Sequence, residues 1–587
     1  MSLFYESLML ETIPLSFVLL VTKCTIHKMK LTLFSGLYIS VLLISLILRT
    51  YDLTNSPNGL NIDESQNAYI GRYIIENGHD VYGQKWPLFY ADKRGDFPPV
   101  IPMYFAALGT YIFGPTIFGA RIVLAFFAAL TSIPVFYLAL WFSNRKKWVA
   151  LGATLVFALN PWHISLSRVA TEGTLALFFF SLGLVFILYG LDKRHSRQFL
   201  IILGCILTIF SMLVYPSFRI LTPLTLFTIS ISYWLTTKKC SRLMFVFALC
   251  SLLLLTYTSS TEWGKGRFVQ TSYFKLDSTH QDNPFAKFIF DEKSALVARL
   301  FYNKYTYITY TFVKEYYQYF SLDFLLGQHG QPIWFTTSLG GLVLVSHVIL
   351  IGLYLLYKTI AQTPLEIDKN KWLLLLVLTA LAPIPAAMTN EMTPSLHRAI
   401  QMSLFLALLT IPPIQLLLSH KRRVIPVVIL GFITLVELIF FIHTYFAHIN
   451  LSVGVQRQTG RSELIQYISQ NKSRYKDVIW YNSGWPQMDY LFFTGQFKLD
   501  PEYHFTFDLQ MPRYENVHFI RADCPSPSQQ LMYAELYKAL NIKPEQANRA
   551  LLVTTCDFLT FPSSEKWKLL QTIYGKNNLA MYHVYAQ

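Results

Sequence analysis

LTLFSGLYISVLLISLIL, residues 31–48, is an unbroken apolar run of membrane-span length, and NIDESQNAYIGRY, residues 61–73, follows it as a polar stretch carrying Asp63-Glu64. Roughly 20 apolar residues in a helix cross the hydrocarbon core of a bilayer. Lys23, His27, Lys28 and Lys30 precede the run, and no comparable basic cluster follows it closely. Cytoplasmic loops carry the excess of Lys and Arg, so the N-terminal side is expected inside and Asp63-Glu64 on the far face. Carboxylates held at the edge of an apolar bundle point to a functional site.

Composition extends this reading to the whole chain. Of 587 residues, 53% are hydrophobic, 16% aromatic and only 14% charged, which excludes an ordinary soluble protein of this length. The formal charge of +15 does not indicate nucleic acid, because the basic residues sit in short clusters between apolar runs. They read as topology determinants and contacts to membrane lipids. No cleavable leader is expected, since the first strong run has no small-residue cleavage site and more runs follow. Glu6 and Glu11 interrupt a weakly apolar residues 1–22. Residues 1–30 are read as a cytoplasmic or surface-lying extension, and Met29 is an alternative start.

Further spans are expected at 118–142, 148–159, 175–191, 199–214, 220–235, 243–257, 335–357, 372–388, 399–418 and 424–445. Arg145-Lys146-Lys147, Lys193-Arg194, Lys238-Lys239 and Lys421-Arg422-Arg423 then all fall on the cytoplasmic side. Residues 98–113 are apolar but short and Pro-flanked, as suits a juxtamembrane helix on the outer face. The total is about eleven spans, with the N-terminus in the cytoplasm and residues 446–587 outside. That tail alternates strand-like runs at 477–481, 517–520, 550–555 and 581–585 with helical patterns at 462–471, 529–540 and 564–574. A small α/β domain follows from such alternation. For Cys524 and Cys556, each placed after a strand-like run, a bridge and two free thiols both stay open.

Unusual polar residues gather in the external loops. The first holds Asp63, Glu64, Lys93 and Arg94; the second His163, Arg168 and Glu172; later ones Arg219, His280, His329, Glu391, His397 and Arg398. Their order carries a resemblance. Asp63-Glu64 after the first span, Phe97-Pro98-Pro99 with Tyr104, residues 114–121 leading into a span, Ser167-Arg168-Val169-Ala170-Thr171-Glu172, and a late loop ending in His397-Arg398 resemble the GT-C glycosyltransferases that use lipid-phosphate sugars. The nearest group is bacterial family 39, of protein O-mannosyltransferase-like and aminoarabinose-transferase-like enzymes. The resemblance covers residues 31–445 and implies a GT-C-like transmembrane domain. The chain departs from the aminoarabinose transferases at Asp96-Phe97-Pro98, where they carry an acidic residue, Lys and Pro; Lys93 and Arg94 stand close by.

The implied chemistry is transfer of a sugar from a polyprenyl-phosphate donor to an extracytoplasmic acceptor hydroxyl on a protein, a lipid or a cell-wall glycan. In-line displacement at an anomeric carbon requires a base for the acceptor and cations for the departing phosphate. Asp63 is the expected base, and Glu172 would orient the acceptor or the sugar. Glu64 is a catalytic candidate or the cap of a loop helix. Arg398, Arg168, His397, Lys93 and Arg94 are the candidates for the donor phosphate, a task suited to guanidinium forks. No metal ligands are assigned, although a divalent cation is compatible with such a site. A transporter or flippase of lipid-linked glycans is the principal rival. It would place ionisable groups near the midplane and often shows internal repeats, and no repeat is evident.

Overall fold

The computed structural model describes residues 33–89, 97–192, 197–261, 272–273, 295–327, 330–332, 335, 341–361, 368–420, 424–482, 486–500, 502–505, 511–521, 550–555 and 567–586. Among them, eight helices are long and apolar enough to cross a membrane: Leu33–Thr50, Ile117–Phe142, Glu172–Gly190, Ser217–Thr237, Arg242–Ser260, Lys369–Ala387, Gln401–Ser419 and Val424–Val453. A ninth is the bent pair Lys147–Ala158 and Pro161–Ser167, angled by 54°. The bend falls at Asn160-Pro161. The Asn160 side chain accepts from His163 N at 3.0 Å, and Pro161 opens the second helix, so the break is a new helix start. Shorter apolar helices at Gln198–Val214 and Val345–Ile360 occupy the two remaining expected span positions.

Close backbone approach holds the bundle where small residues face each other. A Cβ on Gly183 would lie 2.7 Å from the Gly204 carbonyl oxygen, so helices Glu172–Gly190 and Gln198–Val214 cross at glycine. The short helix Ile101–Phe113 packs the same way: a Cβ on Gly71 would meet the Met103 carbonyl at 2.1 Å. That contact seats it against helix Ile62–Asn77, which carries the acidic pair.

The helix of the last span continues past residue 445, where the span was expected to end. It runs from Val424 to His443, takes a π-helical turn over Thr444–His448, and continues through Ile449–Val453. Beyond it lies a six-stranded sheet of order β2-β3-β1-β4-β6-β5, with β1 Asp477–Asn482, β2 Arg513–Tyr514, β3 Val517–Arg521, β4 Ala550–Thr554, β5 Lys568–Tyr574 and β6 Ala580–Ala586. β1 pairs in parallel with β3 and β4, while β2, β6 and β5 close the flanks antiparallel. Four of these strands lie where the alternating patterns were read.

One segment is corrected. The helix expected at 564–574 is strand β5 over Lys568–Tyr574, paired with β6 through a turn at Gly575. Thr572, Ile573 and Tyr574 favour a strand, and the hairpin partner decides the outcome. Helix Pro486–Thr494 was not anticipated. Residues 529–540, Cys524 and Cys556 lie outside the described residues.

The sheet domain shares a core with the loops below it. Tyr69, Ile70, Ile74 and Met103 are buried in one cluster with Leu464, Trp480, Leu491, Phe492 and Val517. The Tyr69 ring lies 5.6 Å from Phe497, and its hydroxyl donates to the Gln496 carbonyl at 3.0 Å. The tail therefore sits on the helix that bears Asp63 and Glu64.

Candidate active site

Helix Ile62–Asn77 begins with a capping box. Asn61 Oδ1 accepts from Glu64 N at 2.8 Å, and Glu64 Oε2 accepts from Asn61 N at 3.0 Å. Two acids in the first turn are favoured by the positive end of the helix dipole. Consecutive residues point about 100° apart around a helix, so the two carboxylates diverge. Glu64 turns inward and is buried; Asp63 is exposed.

Glu64 is the centre of a buried ion cluster. Its Oε1 lies 2.8 Å from Arg121 Nε, and its Oε2 lies 3.2 Å from Arg121 Nη2 and 2.6 Å from Arg457 Nη1. Both guanidiniums are fully buried. Arg121 also donates to the carbonyls of Leu53 and Pro57, at 2.8 and 2.6 Å. Burial alone would raise the Glu64 pKa, but the charges and hydrogen bonds of its partners outweigh that, and it lies below the ordinary value of 4.5. Of the two readings of Glu64, the geometry matches the cap, with an added role tying the first loop to the tail through Arg457.

Asn67 lies one turn beyond Asp63 on the same face. Its Nδ2 donates to Glu172 Oε1 at 2.9 Å, and Glu172 is itself the first residue of helix Glu172–Gly190. The helix face of Asp63 and the start of that span are thereby joined. Gly173 brings in the late loop: a Cβ there would lie 3.4 Å from the His397 carbonyl oxygen and 3.7 Å from the Tyr215 ring. The His397 ring is flanked by Phe335 at 4.7 Å and Tyr215 at 5.8 Å. Three of the expected loops therefore converge.

Arg398 stands partly exposed beside this convergence. Its Nη2 donates to Glu391 Oε2 at 2.8 Å and its Nη1 to Thr389 Oγ1 at 3.0 Å. The late loop is fixed on two sides. Trp162 Nε1 donates to the Leu396 carbonyl at 3.0 Å, and Ser395 N donates to the Tyr319 hydroxyl at 2.8 Å.

Arg168, expected at the donor phosphate, is placed elsewhere. It is fully buried, donates to the carbonyls of Ser56, Leu48 and Asp52, and lies over the Phe446 ring at 4.6 Å. Carbonyls turned inward from a loop need donors, and this guanidinium supplies them. Lys93, Arg94, His280 and His329 lie outside the described residues. Arg121, Arg457 and Asn67 had no role in the sequence reading. A charge inside an apolar helix was a signal for Arg121; Arg457, in a polar stretch, had none. Among the described residues, no group of three or more His, Cys, Asp or Glu side chains stands ready to hold a metal.

Residues 39–267 match the family described as dolichyl-phosphate-mannose-protein mannosyltransferase. A curated relative, undecaprenyl phosphate-alpha-4-amino-4-deoxy-L-arabinose arabinosyl transferase 2 of Pseudomonas fluorescens, is 28% identical over 160 residues. That match spans 27% of this chain and only 28% of the relative's length. The crystal structure of ArnT from Cupriavidus metallidurans bound to undecaprenyl phosphate superposes with a TM-score of 0.50 at 11% identity, covering 94% of this chain and 97% of that one. By fold the chain is a GT-C protein, and the mannosyltransferase-family match falls on the part of it that carries Asp63, Glu64 and Glu172.

Proposed function

We propose that this protein is an integral-membrane inverting glycosyltransferase that moves a sugar from a polyprenyl-phosphate donor to an extracytoplasmic acceptor hydroxyl. The observation that carries the proposal is the convergence of exposed Asp63, Asn67-bound Glu172 and the loop of Arg398 at one end of the bundle. Asp63 takes the proton of the acceptor hydroxyl as its oxygen attacks the anomeric carbon. The bond from that carbon to the phosphate oxygen breaks, and the charge left on the phosphate falls to Arg398. Glu172, held by Asn67, orients the acceptor or the sugar. Glu391 keeps Arg398 in place before the donor arrives and, being exposed, can give way to the donor's singly charged phosphodiester, whose phosphate takes its second charge as the sugar leaves.

The same proposal sets the protein in the plasma membrane with its N-terminus in the cytoplasm and its tail outside. Nucleotide sugars are absent there, which suits a donor delivered on a lipid. Residues 31–445 form the transferase domain and 446–587 the outer α/β domain. The acceptor is a protein, a lipid or a wall glycan. Arg168 and Glu64 serve as framework: each holds the first loop from inside.

The test adds purified protein to radiolabelled polyprenyl-phosphate sugars and membrane extracts, and follows which fraction gains label. Asp63→Asn keeps the shape of the side chain but cannot accept the proton, so turnover should fall about 10²- to 10⁴-fold. Near-normal transfer by a folded Asp63→Asn protein would remove Asp63 as the base.

A further inference from the structure

The π-helical turn at the end of the last span brings together two histidines that the proposed transfer does not use. His443 and His448 are five residues apart. In a straight α-helix that spacing leaves side chains about 140° apart, on different faces. A π turn repeats every five residues or so and stacks them. Their Nε2 atoms are 3.2 Å apart and their ring planes nearly perpendicular, at 82°. Both side chains are exposed.

We propose that His443 and His448 form a two-imidazole site for a divalent transition-metal ion of the zinc, nickel or copper class. Metal–nitrogen bonds of about 2.0–2.1 Å on a tetrahedral centre set neighbouring nitrogens about 3.3 Å apart, so the two Nε2 atoms already stand at the spacing of one edge. Neutral imidazole is the commonest protein ligand for such ions, and hard cations such as Mg²⁺ prefer oxygen. Water completes the coordination, since no third His, Cys, Asp or Glu joins the pair among the described residues.

The turn that presents the pair is held by the fold. Tyr445 and Phe446, between the two histidines, lie against the Arg168 guanidinium at 5.3 and 4.6 Å. Phe446 also meets Tyr51 at 5.7 Å, and Tyr445 meets Phe441 at 5.7 Å. Arg168 in turn is bound to the carbonyls of Leu48, Asp52 and Ser56. Packing on one side of the turn therefore fixes the histidines on the other, before any ion arrives. A bound ion would brace the joint between the last span and the tail.

The experiment uses untagged full-length protein in nanodiscs, stripped with chelator and titrated with Zn²⁺, with Mg²⁺ as the control. The wild type should bind one Zn²⁺ equivalent that His443→Gln and His448→Gln each weaken at least tenfold, while Mg²⁺ does nothing. Zinc should also raise the thermal midpoint of the wild type more than that of either variant. The same zinc affinity and stoichiometry in both variants would overturn the proposal. If a variant fails to fold, Cu²⁺ electron paramagnetic resonance on the wild type decides: two imidazole nitrogens on the first ion bound support the pair, and one or none refutes it.

Discussion

Replacing Glu64 with alanine should unfold this protein far more readily without touching the exposed acid beside it. The carboxylate pairs with both Arg121 and Arg457, and both guanidiniums are fully buried. Removing it strands two cations in the interior, and breaking a buried pair from one side typically costs about 3–5 kcal/mol. The helix keeps its other cap bond, since Asn61 still accepts from the backbone at position 64, so little is added from that source. At about 2 °C per kcal/mol for a large cooperative unit, the thermal midpoint should fall by roughly 6–10 °C. Arg457→Met should cost less, because Glu64 keeps Arg121. The pH dependence has a definite sign. Glu64 titrates below its ordinary value of 4.5 in the folded protein, so its contribution is present above that pH and is lost as the pH falls through the lower folded value. Wild type and Glu64→Ala should therefore converge in acid. The assay is thermal unfolding in nanodiscs across pH, beside Asp63→Asn as a control with an unchanged midpoint. An unaltered midpoint for Glu64→Ala at pH 7 would refute the cluster as the tie between first loop and tail.

Three further outcomes are expected. Arg398→Ala should weaken binding of a lipid-phosphate sugar roughly 10- to 100-fold, as loss of a charge-assisted contact does, along with turnover; direct donor-binding measurements check this, and unchanged affinity would move the phosphate elsewhere. Glu315 is buried on helix Lys304–Gln318, with Oε2 lacking a partner among the described residues, and burial raises its pKa above 4.5. Ionisation there costs stability as the pH rises through the raised value, so Glu315→Gln should gain midpoint relative to wild type between pH 4 and 8; a growing deficit at high pH would contradict it. Cysteines placed at 63 and 172 should react with an impermeant thiol reagent on intact cells while one at 146 stays silent, and the reverse pattern would invert the topology.

The bundle was legible because two independent signals repeat along it. Apolar runs give span positions, and clusters such as Arg145-Lys146-Lys147 mark where one run ends and the next begins, so errors at one end do not propagate. Asn160-Pro161 could be read as a break because both residues act locally: one caps, the other cannot continue the preceding helix. The failures come where the outcome depends on a distant partner. Residues 568–574 take their strand form from β6, and the helix of the last span continues past residue 445, where Tyr445 and Phe446 pack on Arg168. Neither partner is visible in a window of sequence.

The site divides along the same line. Asp63-Glu64 announces acid chemistry, yet two adjacent carboxylates look alike in sequence and are separated only by where the helix faces. The partners that separate them are Arg121, 57 residues away, and Arg457, 393 residues away. Arg168 shows the converse. Its position before Glu172 resembles a phosphate ligand, but the carbonyls of Ser56, Leu48 and Asp52 come first for its donors. A loop that must present one exposed acid at a membrane surface needs its remaining polar groups bonded from behind. Here Arg121, Arg168 and Arg457 meet that need, and their charge is balanced in part by Glu64. The pair is thus one acid for structure, buried against Arg121 and Arg457, and, as proposed, one for chemistry, exposed at the adjacent position of the helix.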